Sequence, residues 1–177
     1  MKQNPEEVWK PVPGYEGLYE VSNLGRVKSL PRKVRIVRWG KEGQRPVPEK
    51  ILTTTTEDHR FGHLFLYLCR EGKRKRWYVH TLVLTAFVGP RPDGMECLHG
   101  DGDPANNRVE NLRWGTSSEN TLDSVRHGTH ANARKTHCKR GHEFTPENTY
   151  VSTNGGRRCR PCRRLRQRKY RQRNLVK

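Results

Sequence analysis

The 177-residue chain is poor in apolar residues, in acidic residues and in cysteines that could all pair off. Hydrophobic residues supply only 31%, so something besides a large core must help to order the whole length. The longest apolar stretch, Leu64-Phe65-Leu66-Tyr67-Leu68-Cys69, falls far short of the roughly 20 residues that cross a bilayer, which excludes a transmembrane helix. The opening residues Met1 to Glu7 contain no apolar leader run, and we expect a cytoplasmic protein with no membrane partner. Five cysteines, an odd number, argue against a disulfide framework in that setting.

Cationic residues, by contrast, are abundant. Lys and Arg number 36 against 18 Asp and Glu, a formal charge of +18. The excess is uneven: residues 1–123 hold 20 basic and 16 acidic side chains, residues 124–177 hold 16 and 2. From Arg157 to Lys177 there are 11 basic residues and no acidic one. Such a block is the electrostatic footprint of phosphate neutralisation on nucleic acid. No amphipathic apolar face accompanies the charges, which disfavours a lipid surface.

Glycines 14, 17 and 25 punctuate alternating apolar residues and predict short strands between about Val8 and Leu30. Residues 31–50 mix prolines and glycines with basic side chains and read as a loop or irregular hairpin, more linker than core. A hairpin follows, with strands Phe61 to Cys69 and Lys75 to Val79 around Arg70-Glu71-Gly72-Lys73. Helical spacing of His80, Val83, Leu84 and Phe87 predicts a short helix stopped by Gly89-Pro90. Beyond it we expect a strand ending at Cys97-Leu98, a polar loop and a strand over Asn111 to Trp114. A helix from about Ser118 to His127 comes next, capped by Thr116 or Ser117 and ended at Gly128.

Cys138 and His142 stand at C-x3-H spacing, and Cys159 and Cys162 at C-x2-C. These are two half-sites of a tetrahedral, closed, structural Zn²⁺ ligand set, with His137 as a competing ligand. Metal binding would supply the folding free energy that so polar a segment lacks. Cys69 and Cys97 read as small buried hydrophobes rather than nucleophiles.

His99 at a strand end, Asn111 on the returning strand and Asn120 on the following helix match the needs of a ββα-metal nuclease. Phosphodiester hydrolysis requires a base near working pH to activate water, and a divalent cation to neutralise developing charge. His99 is the natural base. Asn111 can brace the loop and orient the imidazole, and Asn120 offers a neutral oxygen ligand.

In Val79-His80-Thr81-Leu82-Val83, Leu98-His99-Gly100-Asp101-Gly102-Asp103, Asn106-Asn107-Arg108-Val109-Glu110-Asn111-Leu112-Arg113-Trp114 and Ser118-Glu119-Asn120 the chain resembles the HNH endonucleases of phages and group I introns, particularly the homing branch. Residues 8–30 look like the modular DNA-binding motif that precedes the core in those enzymes, and the Cys/His segment resembles zinc-ribbon tails of some phage members. The resemblance implies metal-dependent nicking or cleavage of double-stranded DNA with Mg²⁺ or Mn²⁺, leaving 5′-phosphate and 3′-hydroxyl ends, with His99 as base, Asn111 as structural Asn and Asn120 as metal ligand. Family members often carry Asp immediately before the catalytic His as second ligand. Here Leu98 stands in that place, so Asp101 or His80 is the expected substitute.

The expected fold class is α+β. Residues 1–50 form a DNA-binding β unit and basic linker, 51–130 the nuclease core, and 131–177 the zinc ribbon with a helical, Arg-rich tail that orders on DNA. Candidate DNA contacts are Arg26, Lys28, Arg32, Lys33, Arg35 and Arg38, the hairpin tip Lys73, Arg74, Lys75 and Arg76, and Arg163, Arg164, Arg166 and Arg168. We expect a monomer. A packaging nuclease, a non-catalytic zinc-containing DNA-binding protein that keeps the fold, and an RNA-binding zinc protein are the alternatives.

Overall fold

The computed structural model describes residues 6–56, 62–153 and 155–174, and these form two compact units that divide between His127 and Gly128. The expected boundary at residue 50 falls inside the first unit, because one hydrophobic core joins both sides of it. Val12, Tyr15, Tyr19, Val21 and Val27 from the N-terminal strands bury together with Leu66, Leu68, Val79, Leu82, Val83, Leu84 and Leu112. Neither set closes a core alone, so each supplies the apolar face the other needs.

Strands β1 (Trp9–Pro11), β2 (Tyr19–Ser22) and β3 (Val27–Ser29) pair antiparallel in order. At the chain's 31–50 stretch the structure takes the hairpin of the two expected alternatives, and a regular one. Strands β4 (Arg32–Arg38) and β5 (Lys41–Val47) form a seven-residue antiparallel ribbon, and β6 (Lys50–Ile51) then returns to pair with β3. The ribbon is exposed on both faces, so neither face needs the buried alternation that identifies a strand in sequence. Its turn is Trp39-Gly40, with φ of 50° and 74°, the doubly positive pattern of a two-residue hairpin.

Strand β7 (Thr55–Thr56) edges the hairpin of β8 (Leu64–Arg70) and β9 (Lys73–Tyr78). The expected strand start at Phe61 lies outside the described residues. Helix α1 (Val79–Phe87) follows without a break. Strands β10 (Glu96–His99) and β11 (Leu112–Gly115) pair antiparallel, and α2 (Ser117–Arg126) packs on β10. A full capping box starts α2: Thr116 Oγ1 accepts from Glu119 N–H, and Glu119 accepts from Thr116 N–H. Asp123, buried beneath it, is held ionised by Arg113 at 2.6 Å and Arg126 at 3.0 Å.

The second unit contains β12 (Thr149–Val151), β13 (Arg157–Cys159) and helix α3 (Arg160–Asn174). Its buried apolar content is slight: Cys159 is the one member of the buried hydrophobic set among the unit's described residues. Among the described residues no helix is long and apolar enough to cross a membrane.

Candidate active site and metal centre

His99 is the last residue of β10, opposite Leu112. The loop that follows is closed by Asn111, whose Oδ1 accepts from Asp101 N–H at 3.0 Å. Its Nδ2 donates to Asp101 Oδ1 at 2.9 Å and to the Asn106 carbonyl at 2.8 Å. Asn111 thus ties the loop together, while the side chain that faces the imidazole is a different residue. Asn107 Nδ2 donates to the Ala105 carbonyl, which leaves Oδ1 facing His99 Nε2 at 3.4 Å. That arrangement puts the His99 proton on Nε2 and the free lone pair on Nδ1.

Asp101 spends its carboxylate on the same loop. Asn106 Nδ2 donates to it at 2.6 Å and the Asp103 N–H at 2.9 Å, and these bonds, with Asn111's, hold its carboxyl below the usual carboxylate range. Asp101 thus shapes the turn. His80, on the first turn of α1, does reach His99: their ring centroids lie 5.3 Å apart. A third imidazole that the sequence did not suggest, His63 just before β8, completes a triangle at 5.0 Å from His80 and 5.6 Å from His99. One ring nitrogen of each lies within 4.8 Å of the others. Burial, then the neighbouring His63 and His99, pushes His80 down to about 3. Burial likewise lowers His99, against the partial support of its Asn107 hydrogen bond. The three rings thus converge, and burial favours the neutral form of two of them, His80 and His99.

Leu98 is 2% exposed and lies over Gly115, where a Cβ would stand 2.4 Å from its Cδ1. It is a packing residue. Glu96 precedes it by two positions and so shares its strand face. Asn120 Nδ2 donates to Glu96 Oε2 at 3.1 Å, a pairing that turns the Asn120 carbonyl oxygen away from the carboxylate and free to bind. Sequence reasoning missed Glu96; the period-2 spacing from Leu98 is the signal that could have found it. Cys97 is half-buried, its thiol pushed up to about 12 by burial, which makes it inert; Cys69 is exposed, not buried as expected.

In the second unit Cys138, His142, Cys159 and Cys162 converge. Cys138 Sγ stands 3.3 Å from His142 Nδ1 and 3.7 Å from Cys162 Sγ, and Cys162 Sγ is 3.4 Å from the same Nδ1. Ligands at about 2.3 Å in a tetrahedron lie about 3.8 Å apart, so the donor set fits one metal ion. His137 instead faces Thr136 Oγ1 through its Nδ1 at 2.9 Å, so His142 is the imidazole of the set.

The basic residues divide into two groups. Arg26 pairs with Glu7, Lys28 with Glu20 at 2.9 Å, and Arg32 is tied to Ser29 Oγ at 2.8 Å and to the Leu18 and Leu30 carbonyls. All three have partners within the fold, although the Arg26 side chain stays 56% exposed. Lys33 and Arg38 are exposed on the ribbon, where Arg35 pairs with Glu42. Lys73, Arg74, Lys75 and Arg76 are exposed on β9, with Arg74 3.9 Å from the Tyr67 ring centre. Arg163, Arg164, Arg166 and Arg168 are exposed along α3. At the ribbon tip Trp39 is 87% exposed.

Comparison with known proteins accords with this geometry. Residues 7–58 match the NUMOD4 motif and residues 77–122 the HNH endonuclease family HNH_3. DNA endonuclease I-HmuI of Bacillus phage SP01 is 35% identical over 121 residues, covering 68% of this chain and 59% of the phage protein. An uncharacterised HNH endonuclease of Acanthamoeba polyphaga mimivirus, L247, is 32% identical over 124 residues, 67% of this chain and 26% of its own. A putative HNH homing endonuclease of the SPbeta prophage in Bacillus subtilis, YosQ, is 41% identical over 54 residues, 30% of this chain and 31% of its own. The solved structure described as DNA binding and cleavage by the HNH homing endonuclease I-HmuI superposes with a TM-score of 0.53 at 33% identity, over 69% of this chain and 60% of that one. The chain thus spans about three fifths of the phage relative's length. With both modules matched in order around the His99 loop, the chain belongs to the HNH endonuclease family, in a form that carries a NUMOD4 motif ahead of the nuclease core.

Proposed function

We propose that the protein is a divalent-metal-dependent HNH endonuclease of the homing or nicking type, acting as a monomer on double-stranded DNA in the cytoplasm. The observation that carries the reading is the His99 imidazole. It stands at a strand end, with its Nε2 proton committed to Asn107 and its Nδ1 lone pair free. That lone pair takes the proton of the attacking water as it approaches phosphorus. Asn111 keeps the loop, and hence the imidazole, in place, and burial keeps the ring neutral at working pH. Asn120, paired with Glu96, supplies oxygen donors for Mg²⁺ or Mn²⁺, taking the position that Leu98 leaves without a ligand. A divalent cation there would neutralise charge on the pentavalent phosphate and the leaving oxygen.

Supercoiled plasmid incubated with Mg²⁺ or Mn²⁺ tests this reading. The parent is expected to nick, EDTA to abolish nicking, and His99→Ala to lower the rate by about 10²–10⁴-fold. Because burial holds His99 below the ordinary imidazole value of 6.5, its basic form persists as pH falls, and the acid limb of the rate profile should lie below that value. Tight duplex binding with no cleavage in any metal would favour the non-catalytic DNA-binding alternative.

The ribbon supports duplex binding. A two-stranded ribbon fits the major groove, and this one ends on an exposed aromatic ring held at positive φ. That conformation costs a bulky residue roughly 1–2 kcal/mol, which apolar contact with base edges, such as the thymine methyl, would offset. Trp39→Asn, suited to such a turn, should leave or raise thermal stability while weakening affinity for duplex DNA. Unchanged affinity would remove Trp39 from the interface.

We assign structural Zn²⁺ to Cys138, His142, Cys159 and Cys162, because the second unit buries too little apolar surface to order itself. Cys159→Ser should lose the stoichiometric zinc measured on the purified protein and the protease resistance of residues beyond Gly128, while the first unit stays folded. Retained zinc in that variant would contradict the assignment.

A further inference from the structure

The imidazole triangle contains more ligands than a lone general base requires. We propose that His63, His80 and His99 form a second metal site, for a borderline transition ion of the Zn²⁺, Co²⁺ and Ni²⁺ class, and that filling it silences the nuclease. The silencing half rests on the reading of His99 as base; the binding half does not.

Three observations carry the site. First, the three rings come from three separate elements, the segment entering β8, the first turn of α1 and the end of β10, yet each offers a nitrogen within 4.8 Å of the others. In a tetrahedral set with metal–nitrogen bonds of about 2.0–2.1 Å the nitrogens stand about 3.4 Å apart. Rotation of the three side chains about their Cα–Cβ and Cβ–Cγ bonds would close that gap. Second, His80 is 8% exposed and its Nδ1 has no hydrogen-bond partner among the described residues. A buried polar atom left so is costly. A proton does not resolve it, since burial and the two neighbouring rings keep His80 neutral at working pH. A cation that accepts lone pairs does. Third, His99 already has the outer partner that ligating histidines use: its Nε2–H faces Asn107 Oδ1, which fixes the tautomer with Nδ1 as donor.

The chemistry of the donors sets the ion. Three imidazole nitrogens suit zinc, cobalt or nickel, whereas magnesium prefers carboxylate, carbonyl and water. The two sites therefore sort ions: oxygen donors at Asn120 and Glu96 for the hard cation, nitrogens at the triangle for the borderline one. A neutral His99 imidazole has a single in-plane lone pair. It can bind an ion or take a proton from water, and not both at once, so occupancy of the triangle stops base catalysis while Mg²⁺ is still in place.

The test uses the full chain with its Cys138, His142, Cys159 and Cys162 site preloaded with Zn²⁺, titrated with Co²⁺ and followed by absorption. The expected result is one further equivalent of Co²⁺, with ligand-field bands and no thiolate charge-transfer band. His63→Gln and His80→Gln, each checked for fold by circular dichroism, should weaken that binding about tenfold or more. In plasmid nicking with saturating Mg²⁺, Co²⁺ should inhibit the parent over the concentration range of the titration. Each variant, normalised to its own Mg²⁺ rate, should need correspondingly more Co²⁺. No further equivalent, or binding that neither folded variant weakens, overturns the site. Binding with undiminished nicking, or nicking by Co²⁺ without Mg²⁺, overturns the silencing. Binding as expected in a parent that never nicks with Mg²⁺ supports the site and overturns the nuclease reading instead.

Discussion

The geometry around His99 depends on one side chain, Asn111, which holds the loop between β10 and β11 shut. It bonds the Asp101 N–H, the Asp101 carboxylate and the Asn106 carbonyl at once. Those three bonds fix where Asn107 stands, and Asn107 fixes the tautomer of His99. The clamp extends into the N-terminal strands. Val109 N–H donates to the Asn23 carbonyl at 2.8 Å, and Gly25, at φ +82°, lies so close that a Cβ there would stand 2.8 Å from Asn107 Cβ. A side chain at position 25 would push on Asn107, the residue that faces the His99 imidazole. The NUMOD4 segment is therefore part of the frame of the active site as well as a carrier of basic residues.

Burial sets the electrostatics of that frame. His80 and His99 are kept uncharged because the pocket withholds water from an imidazolium, and each further ring adds to the penalty. Neutral rings have lone pairs to offer, which is what both proton abstraction and nitrogen coordination need. Asp101 and Asp103 oppose the lowering of His99, but burial outweighs them. Asp101 is used up by its own loop, and Glu96 is paired with Asn120. At Trp39 the protein keeps a conformation that a smaller residue would adopt more readily, the pattern expected where a side chain serves binding.

Local signals in the sequence were legible. The α2 cap at Thr116 with Glu119, the strand end at His99 and the C-x3-H and C-x2-C pairs all follow from residue type and spacing within a few positions. What was not legible depends on contacts distant in the chain. His63 carries no periodicity of its own and joins His99 only through the packing of β8, α1 and β10. Asn111 and Asn107 are equivalent in composition, and only the folded loop separates the brace from the partner of the imidazole. The β4–β5 ribbon lacks a buried face and so lacks alternation. The shared core, which merges two expected domains into one unit, is invisible to a reading that treats each hydrophobic set alone. Arg26, Lys28 and Arg32 look like phosphate contacts in sequence, yet acidic and carbonyl partners within the fold claim them.

The most direct measurement is single-turnover cleavage by Asn111→Ala on saturating duplex DNA with Mg²⁺, alongside its affinity for the same duplex. If the braced loop carries the chemistry, the rate falls about 10²-fold, as expected for a small misplacement of a catalytic group, while affinity stays within about twofold. An unchanged rate, or a rate and affinity that fall together, would contradict the account.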